Sequence, residues 1–367
     1  DSLRQGENVL TLSVTDRTEQ SPHARGKQKL QKKGKYASLF YTPQSGIWKT
    51  VWMESVEKAY IEDVRITPLY DDSSVRFEIT VLNACKTSGA ETSGGKASGG
   101  ETSGTVRLAV LDRGGKIGQA EITVRQEKEI KQVISQEIKL DGFKPWTPDT
   151  PHLYDVIIRY GEDEVRSYFG MRKLSTGRDG KGILRFFLNN KPYFFNGILD
   201  QGYWPESLMT APSDEALVYD IIKLKEMGYN TIRKHVKIEA ERFYYHCDRL
   251  GMMVWQDMPN GGGEYNMVFV THLPNASDRF ARGVSDRHYG IFKRKDGEGR
   301  RQYYTDLKNM VSTLYNYPSI AVWVPFNEGW GQFDAAKATK EVREIDSGRL
   351  INEACGWFDQ GGGDMYS

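Results

Sequence analysis

The chain has 367 residues, with 50 Lys and Arg against 49 Asp and Glu. A formal net charge of +1 gives no reason to expect nucleic acid or an anionic membrane as a partner, and the length allows two or three domains with a sizeable core. The three cysteines, Cys85, Cys247 and Cys355, exclude a disulfide framework or an obvious zinc pattern and read as structural thiols; no stretch reaches the roughly twenty apolar residues of a membrane span.

The N-terminus lacks the basic and apolar regions of a signal peptide. It opens as a turn into a strand, so the chain reads as cut from something longer, and its compartment, periplasmic or secreted rather than cytoplasmic at most, stays open. Val9 to Val14 alternates apolar and polar residues and predicts a half-buried strand. The charged tracts KQKLQKK (27–33) and KRKDGEGRR (293–301) read as solvated loop surface. Tyr41 to Glu54, YTPQSGIWKTVWME, places a Pro and Gly turn before Ile47, Trp48, Val51 and Trp52, as in a sandwich strand.

From Tyr60 to Phe169 strand-like runs recur: YIEDVRITPLY, SVRFEITVL, TVRLAVLD, AEITVRQ, ISQEIKL, LYDVIIRY and EVRSYFG. Roughly seven strands punctuated by turns predict an immunoglobulin-like β-sandwich. Between the second and third lies a Ser, Thr, Gly and Glu tract, Lys86 to Gly104, too small and polar to pack and expected to form a flexible hairpin loop.

After Ser175 strands alternate with helices. Strands are expected at 191–199, 229–234, 252–255, 320–324 and 350–352, with a further start at 364–366; helices are expected at 213–227, 239–250, 302–315 and 333–345. This is the grammar of right-handed βα units on a parallel sheet. A doubly wound dinucleotide fold is disfavoured, because GILDQGYW follows the first strand where a Gly-rich phosphate loop would stand. A barrel of βα units also fits the alternation, and the chain holds five to six such strands.

Polar residues cluster where these strands end: Asp200 and Gln201, Arg233 and His235, Gln256 and Asp257, Asn327 and Glu328, Glu353 and Trp357. In a barrel such positions converge on the C-terminal face. Glu328 follows the apolar run Ile320–Val324 and a Pro, at the strand's lip, and Trp323, Phe326 and Trp330 offer aromatic surface of the kind that a sugar ring needs. The plainer reading of Glu328 is an N-terminal charge for the helix from about Phe333. Arg233 and His235 also fit an ordinary ion-pair donor and a satisfied histidine, Asp257 and Glu353 fit turn caps, and Trp204 and Trp255 fit packing. Glu264 and Asp286 lie in a long Gly-rich loop, 259–301, that reads as a lid or a mobile segment.

Three stretches together resemble glycoside hydrolase family 2, the family of β-galactosidases, β-glucuronidases and β-mannosidases. They are IRKHVKIEAERFYYHCDRLGMMVWQDMPNG from Ile232, NGILDQGYWPESLMTAPSDEA before it and YPSIAVWVPFNEGWGQ after it. The resemblance extends back through WTPDTPHLYDV, similar to the end of the family's immunoglobulin-like domain. It continues through FYTPQSGIWKTVWMESV, similar to its N-terminal sugar-binding jelly roll. It implies three parts: the end of a jelly roll at 1–59, a sandwich at 60–174 and an incomplete TIM barrel at 175–367.

It also implies a retaining β-glycosidase, β-galactosidase-like, acting on terminal β-linked sugars of an oligo- or polysaccharide. Glu328 matches the family's acid/base, Asn327 its donor to the sugar 2-hydroxyl, and Arg233 and His235 its pocket wall, with Asp200, Gln201, Asp257 and Trp357 as further substrate contacts. The nucleophile is a Glu expected past Ser367, so the 367 residues alone are expected to be inactive. No cofactor is expected; some members use magnesium or sodium, but no ligand spacing here supports a cation. Many relatives assemble, which leaves a homo-oligomer open. The competing reading is a carbohydrate-binding protein without catalysis on the same fold.

Overall fold

Period-two runs become strands because alternate side chains can share one buried face. In the computed structural model, which describes residues 4–17, 21, 23–30, 39–83, 104–124 and 131–366, the seven runs form β1 (Ala59–Leu69), β2 (Ser74–Asn83), β3 (Gly104–Asp112), β4 (Gly115–Val124), β5 (Lys131–Lys139), β6 (Tyr154–Tyr160) and β7 (Asp163–Phe169). They make two antiparallel sheets, ordered β1-β2-β5 and β4-β3-β6-β7. Val75, Phe77, Ile79 and Val81 of β2 are buried in one core with Val106, Leu108 and Val110 of β3 and with Val156 and Ile158 of β6. Each such side chain contributes about 1.5–3 kcal/mol on burial. The flanking strands β2 and β3 lie in different sheets. The Ser/Thr/Gly tract between them, residues 84–103, lies outside the described residues, as does Cys85.

The strand expected at Val9–Val14 does not form. Val9 and Leu10 are 82% and 71% exposed. Alternation marks which face a strand would bury, but a ladder needs a neighbour. Among the described residues of 4–58, the pairing is limited to isolated bridges, Ala24 with Gly261 and Gln28 with Tyr41. The jelly-roll reading of 1–59 accordingly has no sheet behind it in these residues.

A small antiparallel sheet, β8 (Leu174–Arg178), β9 (Leu184–Leu188) and β10 (Lys191–Tyr193), leads into the barrel. The single strand expected over 191–199 is two, because β10 pairs with β9 while β11 (Gly197–Asp200) pairs with the next barrel strand. Asn196 and Asn230 lock the break: Asn196 N donates to Asn230 Oδ1 at 2.9 Å, and Asn230 N donates to Asn196 O at 3.0 Å.

From there the units follow as α1 (Asp214–Glu226), β12 (Thr231–Lys234), α2 (Glu241–Leu250), β13 (Met253–Asp257), two short helices α3 (Leu273–Ala276) and α4 (Asp278–Gly283), α5 (Gly297–Thr313), β14 (Ile320–Val324), α6 (Ala335–Ile345) and β15 (Leu350–Ile351). The strands β11 to β15 form one parallel sheet in chain order. Helix α1 starts where the sequence places a cap: Ser213 Oγ accepts from Ala216 N, with Asp214 and Glu215 in the first turn and Lys223 and Lys225 in the last. Every residue of β14 is buried, as an apolar run sandwiched between helices and barrel interior requires. At 364–366 no strand forms, though Asp364 N donates to Ile351 O at 2.8 Å beside β15.

One carboxylate lies where the sandwich meets the barrel. Asp248 of α2 accepts from Ser319 N at 2.7 Å and from Tyr168 Oη of β7 at 2.7 Å, while its carbonyl accepts from Trp146 Nε1 at 2.8 Å. Burial pushes its carboxyl up to about 7 in spite of the Ser319 and Tyr168 bonds. A carboxyl raised in the folded state holds its proton there after the unfolded chain has lost it. Its contribution to stability is then full below the ordinary carboxylate range and is lost as the pH rises through about 7. The urea midpoint of the protein is expected to fall between pH 5 and pH 8, and Asp248→Asn is expected to flatten that slope. An identical slope in the variant would remove Asp248 as its source.

Candidate functional site

Strand β12 alternates, and this divides its side chains between two networks. Arg233 points to the barrel's C-terminal face. Its guanidinium makes a forked pair with Asp257 at the end of β13, Nε to Oδ1 at 3.0 Å and Nη2 to Oδ2 at 2.9 Å. Nη2 also donates to Asn327 Oδ1 at 2.7 Å, and Nη1 donates to Cys355 Sγ at 2.6 Å. His235 Nδ1 lies 3.1 Å from Asp257 Oδ2, which also accepts from Val236 N at 3.2 Å. Burial alone would raise the Asp257 carboxyl, but Arg233 and His235 outweigh it and hold the group below its ordinary range. The structure thus brings Arg233, His235, Asp257 and Asn327 into one charge-assisted network on three consecutive strand ends.

Glu328 stands next to it. After Val324 the chain leaves the sheet, and Phe326 N and Glu328 N donate to Glu353 O and Cys355 O, both at 3.1 Å, so the lip of β14 is held against the loop after β15. Glu328 adopts φ +50°, a left-handed conformation that costs a non-glycine residue about 1–2 kcal/mol. Gly329 follows at φ +70°, and a Cβ there would lie 2.5 Å from Phe358, so only glycine fits. The Glu328 side chain is half-buried against Gly356, with half-buried Trp357 next in sequence. The plainer reading of Glu328 as a helix-start charge does not hold: α6 begins at Ala335, whose N–H donates to Asp286 Oδ2 at 2.8 Å.

Asp200 belongs to the other network. Lys234, on the helix side of β12 and 4.3 Å from the Phe243 ring, donates to Asp200 Oδ2 at 2.7 Å and to Glu239 Oε1 at 3.0 Å. Lys237 joins Glu239 at 2.6 Å, and burial pushes its ammonium down to about 8 despite that carboxylate. The structure does not bring Asp200 together with Arg233; Gln201 is half-buried beside it. The aromatic surface expected around Asn327 and Glu328 is also mostly elsewhere. Trp323 is fully buried with its indole N–H on Asp346 at 2.8 Å, and Phe326 stacks on Tyr303 at 5.0 Å, because both belong to the core between sheet and helices. Trp330 lies nearer, edge-on to Phe40 and Tyr265. Trp204 and Trp255 pack against core clusters.

Glu353 is fully buried, with Oε2 accepting from Gly362 N at 2.6 Å, and burial pushes it up to about 7. The long segment 259–301 is packed and not loose: Phe269 stacks on Phe358 at 5.4 Å, and Phe292 meets the same ring edge-on at 5.0 Å. Two residues missed by sequence reasoning also lie here. Cys355, a structural thiol by its sequence context, accepts from Arg233 Nη1. Lys27 comes from the basic tract before the first domain, and no local pattern marks it. Among the described residues no group of three His, Cys, Asp or Glu side chains is placed to hold a metal, and no helix is long and apolar enough to cross a membrane. A cleft of about 620 Å³ lies between Trp48 and Trp52 of the N-terminal segment and helices α2 and α5, with Val236 and Met258 also in its lining.

Residues 59–172 match the family model for glycosyl hydrolases family 2, and residues 182–359 match the model for its TIM barrel domain. A β-galactosidase of Thermoanaerobacter pseudethanolicus is 25% identical over 313 residues, which are 83% of this chain and 35% of that protein. A β-galactosidase of Photobacterium profundum is 26% identical over 300 residues, 77% of this chain and 25% of that protein. The chain therefore spans about a third or less of these relatives. The solved structure of a family 2 member from Bacteroides cellulosilyticus superposes with a TM-score of 0.62 at 19% identity, over 87% of this chain and 39% of that one. With its sandwich and its barrel matched in order along the sequence, the chain belongs to glycosyl hydrolases family 2.

Proposed function

We propose that the chain carries the acid/base half of a retaining β-glycosidase, with Glu328 as the acid and a β-galactoside as the first substrate to try. The observation that supports this best is the orientation of Asn327. Its Oδ1 is committed to Arg233 Nη2, so its Nδ2 is the end left to donate to a sugar hydroxyl, beside a carboxyl whose backbone is held in a strained conformation. A group placed this way can hold the 2-hydroxyl while Glu328 protonates the glycosidic oxygen. As the bond from the anomeric carbon to that oxygen breaks, a second carboxylate attacks the same carbon from the opposite face. Glu328, now ionised, then takes a proton from the water that releases the sugar.

The second carboxylate is assigned to neither Asp257 nor Glu353. Asp257 is committed to Arg233, His235 and Val236, and Glu353 is buried against Gly362 near the start of α6. In this reading no described residue takes the nucleophile's role.

The test is hydrolysis of nitrophenyl β-glycosides by the full-length protein. Turnover of one sugar over its epimers, the galactoside first because the relatives above are β-galactosidases, is the expected result. Binding of sugar without turnover of any member would leave a carbohydrate-binding protein on this fold.

A further inference from the structure

The N-terminal segment makes few contacts of its own but crosses four loops of the barrel face. Arg25 N and Gly26 N both donate to Asn260 O, at 2.9 and 3.0 Å, and Ala24 bridges to Gly261, so the segment lies along the loop after β13. Gly26, at φ +62°, sits so close to the carbonyl of Val236 that a Cβ would be 2.6 Å from it; Val236 follows His235 directly. Tyr41 stacks on Tyr203 after β11, with ring centroids 3.9 Å apart, and Phe40 meets Trp330 after β14 at 5.8 Å. Tyr41 N donates to Lys27 O at 2.8 Å, and Lys29 N donates to Tyr41 O at 3.1 Å, so residues 27–29 are fixed by the returning chain.

This frame holds the backbone of Lys27 beside the loops that follow Arg233 and Asp257. The charged groups that act on its ammonium are Glu328, Arg233 and Asp257. Of the two acids, Asp257 is already neutralised by the forked Arg233 pair, and Glu328 is the group that the reaction uses. Among the described residues no carboxylate lies within ion-pairing distance of Lys27, although its side chain is half-buried. A desolvated ammonium with no carboxylate in direct contact is unfavourable, and burial lowers its proton affinity although Glu328 and Asp257 act to raise it. The neighbouring cations are otherwise engaged: Arg25 donates to Gly262 O, and Lys29 lies over the Phe40 ring.

We propose that Lys27 is a specificity residue of this site, placed to bind a carboxylate carried on the leaving-group side of the substrate. The inference rests on the reading of Glu328 as the acid. The network of Arg233, Asp257 and Asn327 at the strand ends forms the floor on which the glycosyl ring is held, and the acid's proton goes to the oxygen between ring and leaving group. The segment bearing Lys27 runs along the loops after β12 and β13, against Val236 and Asn260 at the rim of that floor, and its ammonium is assigned to the leaving-group side. The substrate class is a β-glycoside whose neighbouring sugar or aglycone is acidic, with the charge on Lys27 replacing the solvent that burial removes.

The experiment measures kcat/KM of the full-length protein on two aryl β-glycosides of equal leaving-group acidity, one neutral and one bearing a ring carboxylate. The native protein is expected to favour the carboxylated substrate by about tenfold, the size of one charge-assisted hydrogen bond. In Lys27→Gln the ratio is expected to fall to near one through a higher KM, and in Lys27→Arg to be largely kept. Added salt is expected to shrink the native preference. An unchanged ratio in Lys27→Gln would overturn the inference, as would a fall in kcat of equal size on both substrates, which would make Lys27 a partner of Glu328 instead. Absence of hydrolysis of either substrate by the native protein would remove the underlying reading of Glu328, an outcome distinct from both.

Discussion

Glu328→Gln in the full-length protein is expected to lower kcat on a glycoside with a poor leaving group by roughly a thousandfold, within the 10²–10⁴ that a positioned general acid supplies. The amide keeps the shape and the hydrogen bonds of the site but cannot deliver a proton to the departing oxygen. A dinitrophenyl leaving group needs little protonation, so its first step is expected to be largely spared, while release of the sugar, which needs Glu328 as base, becomes slow. The sign is therefore a fall in both kcat and KM on the activated substrate and a fall in kcat alone on the poor one. Pre-steady-state mixing would show it as a burst of dinitrophenol. A uniform loss on both substrates would mean that the variant disturbs binding and not proton transfer.

Asp257→Asn carries the second large effect, on stability. Asp257 is 0% exposed and is the counter-charge for Arg233, which would otherwise be a desolvated cation. Removing one partner of a buried pair typically costs about 3–5 kcal/mol, because the other charge stays behind. The urea midpoint of the variant should fall accordingly, and a second change, Arg233→Met, should recover part of the loss by removing the stranded charge. If Asp257→Asn unfolds like the native protein, or if the double variant is weaker by the sum of both single effects, the stranded charge is not the cause. Activity is expected to fall as well, since Arg233 orients Asn327 through the bond at 2.7 Å.

Much of this architecture is legible in the residues. The seven sandwich strands follow from period-two runs whose alternate members fill one core, and Ser213 and the apolar spacing that follows it mark α1. The site residues Arg233, His235, Asp257, Asn327 and Glu328 stand out because each follows an apolar strand core, where a parallel barrel gathers side chains at one end. What could not be read depends on direction and on distant contacts. Asp200 also follows a strand, yet its partner Lys234 faces the helices, a fact settled by which residues of β12 point inward. Trp323 and Phe326 flank the right residues in sequence but fill the core behind them. The period of Val9–Val14 is correct for a strand that has no pairing neighbour among the described residues, and the segment that carries Lys27 reaches the barrel loops without regular structure of its own.

The most direct test of the central claim is azide rescue of Glu328→Ala in the full-length protein, with the product's anomeric configuration read by proton NMR. If Glu328 is the acid/base of a retaining mechanism, azide should enter the space left by the carboxylate, attack the glycosyl-enzyme without base assistance and release a β-glycosyl azide while turnover rises. An α-glycosyl azide, or no response to azide in a folded variant, would contradict the assignment of Glu328.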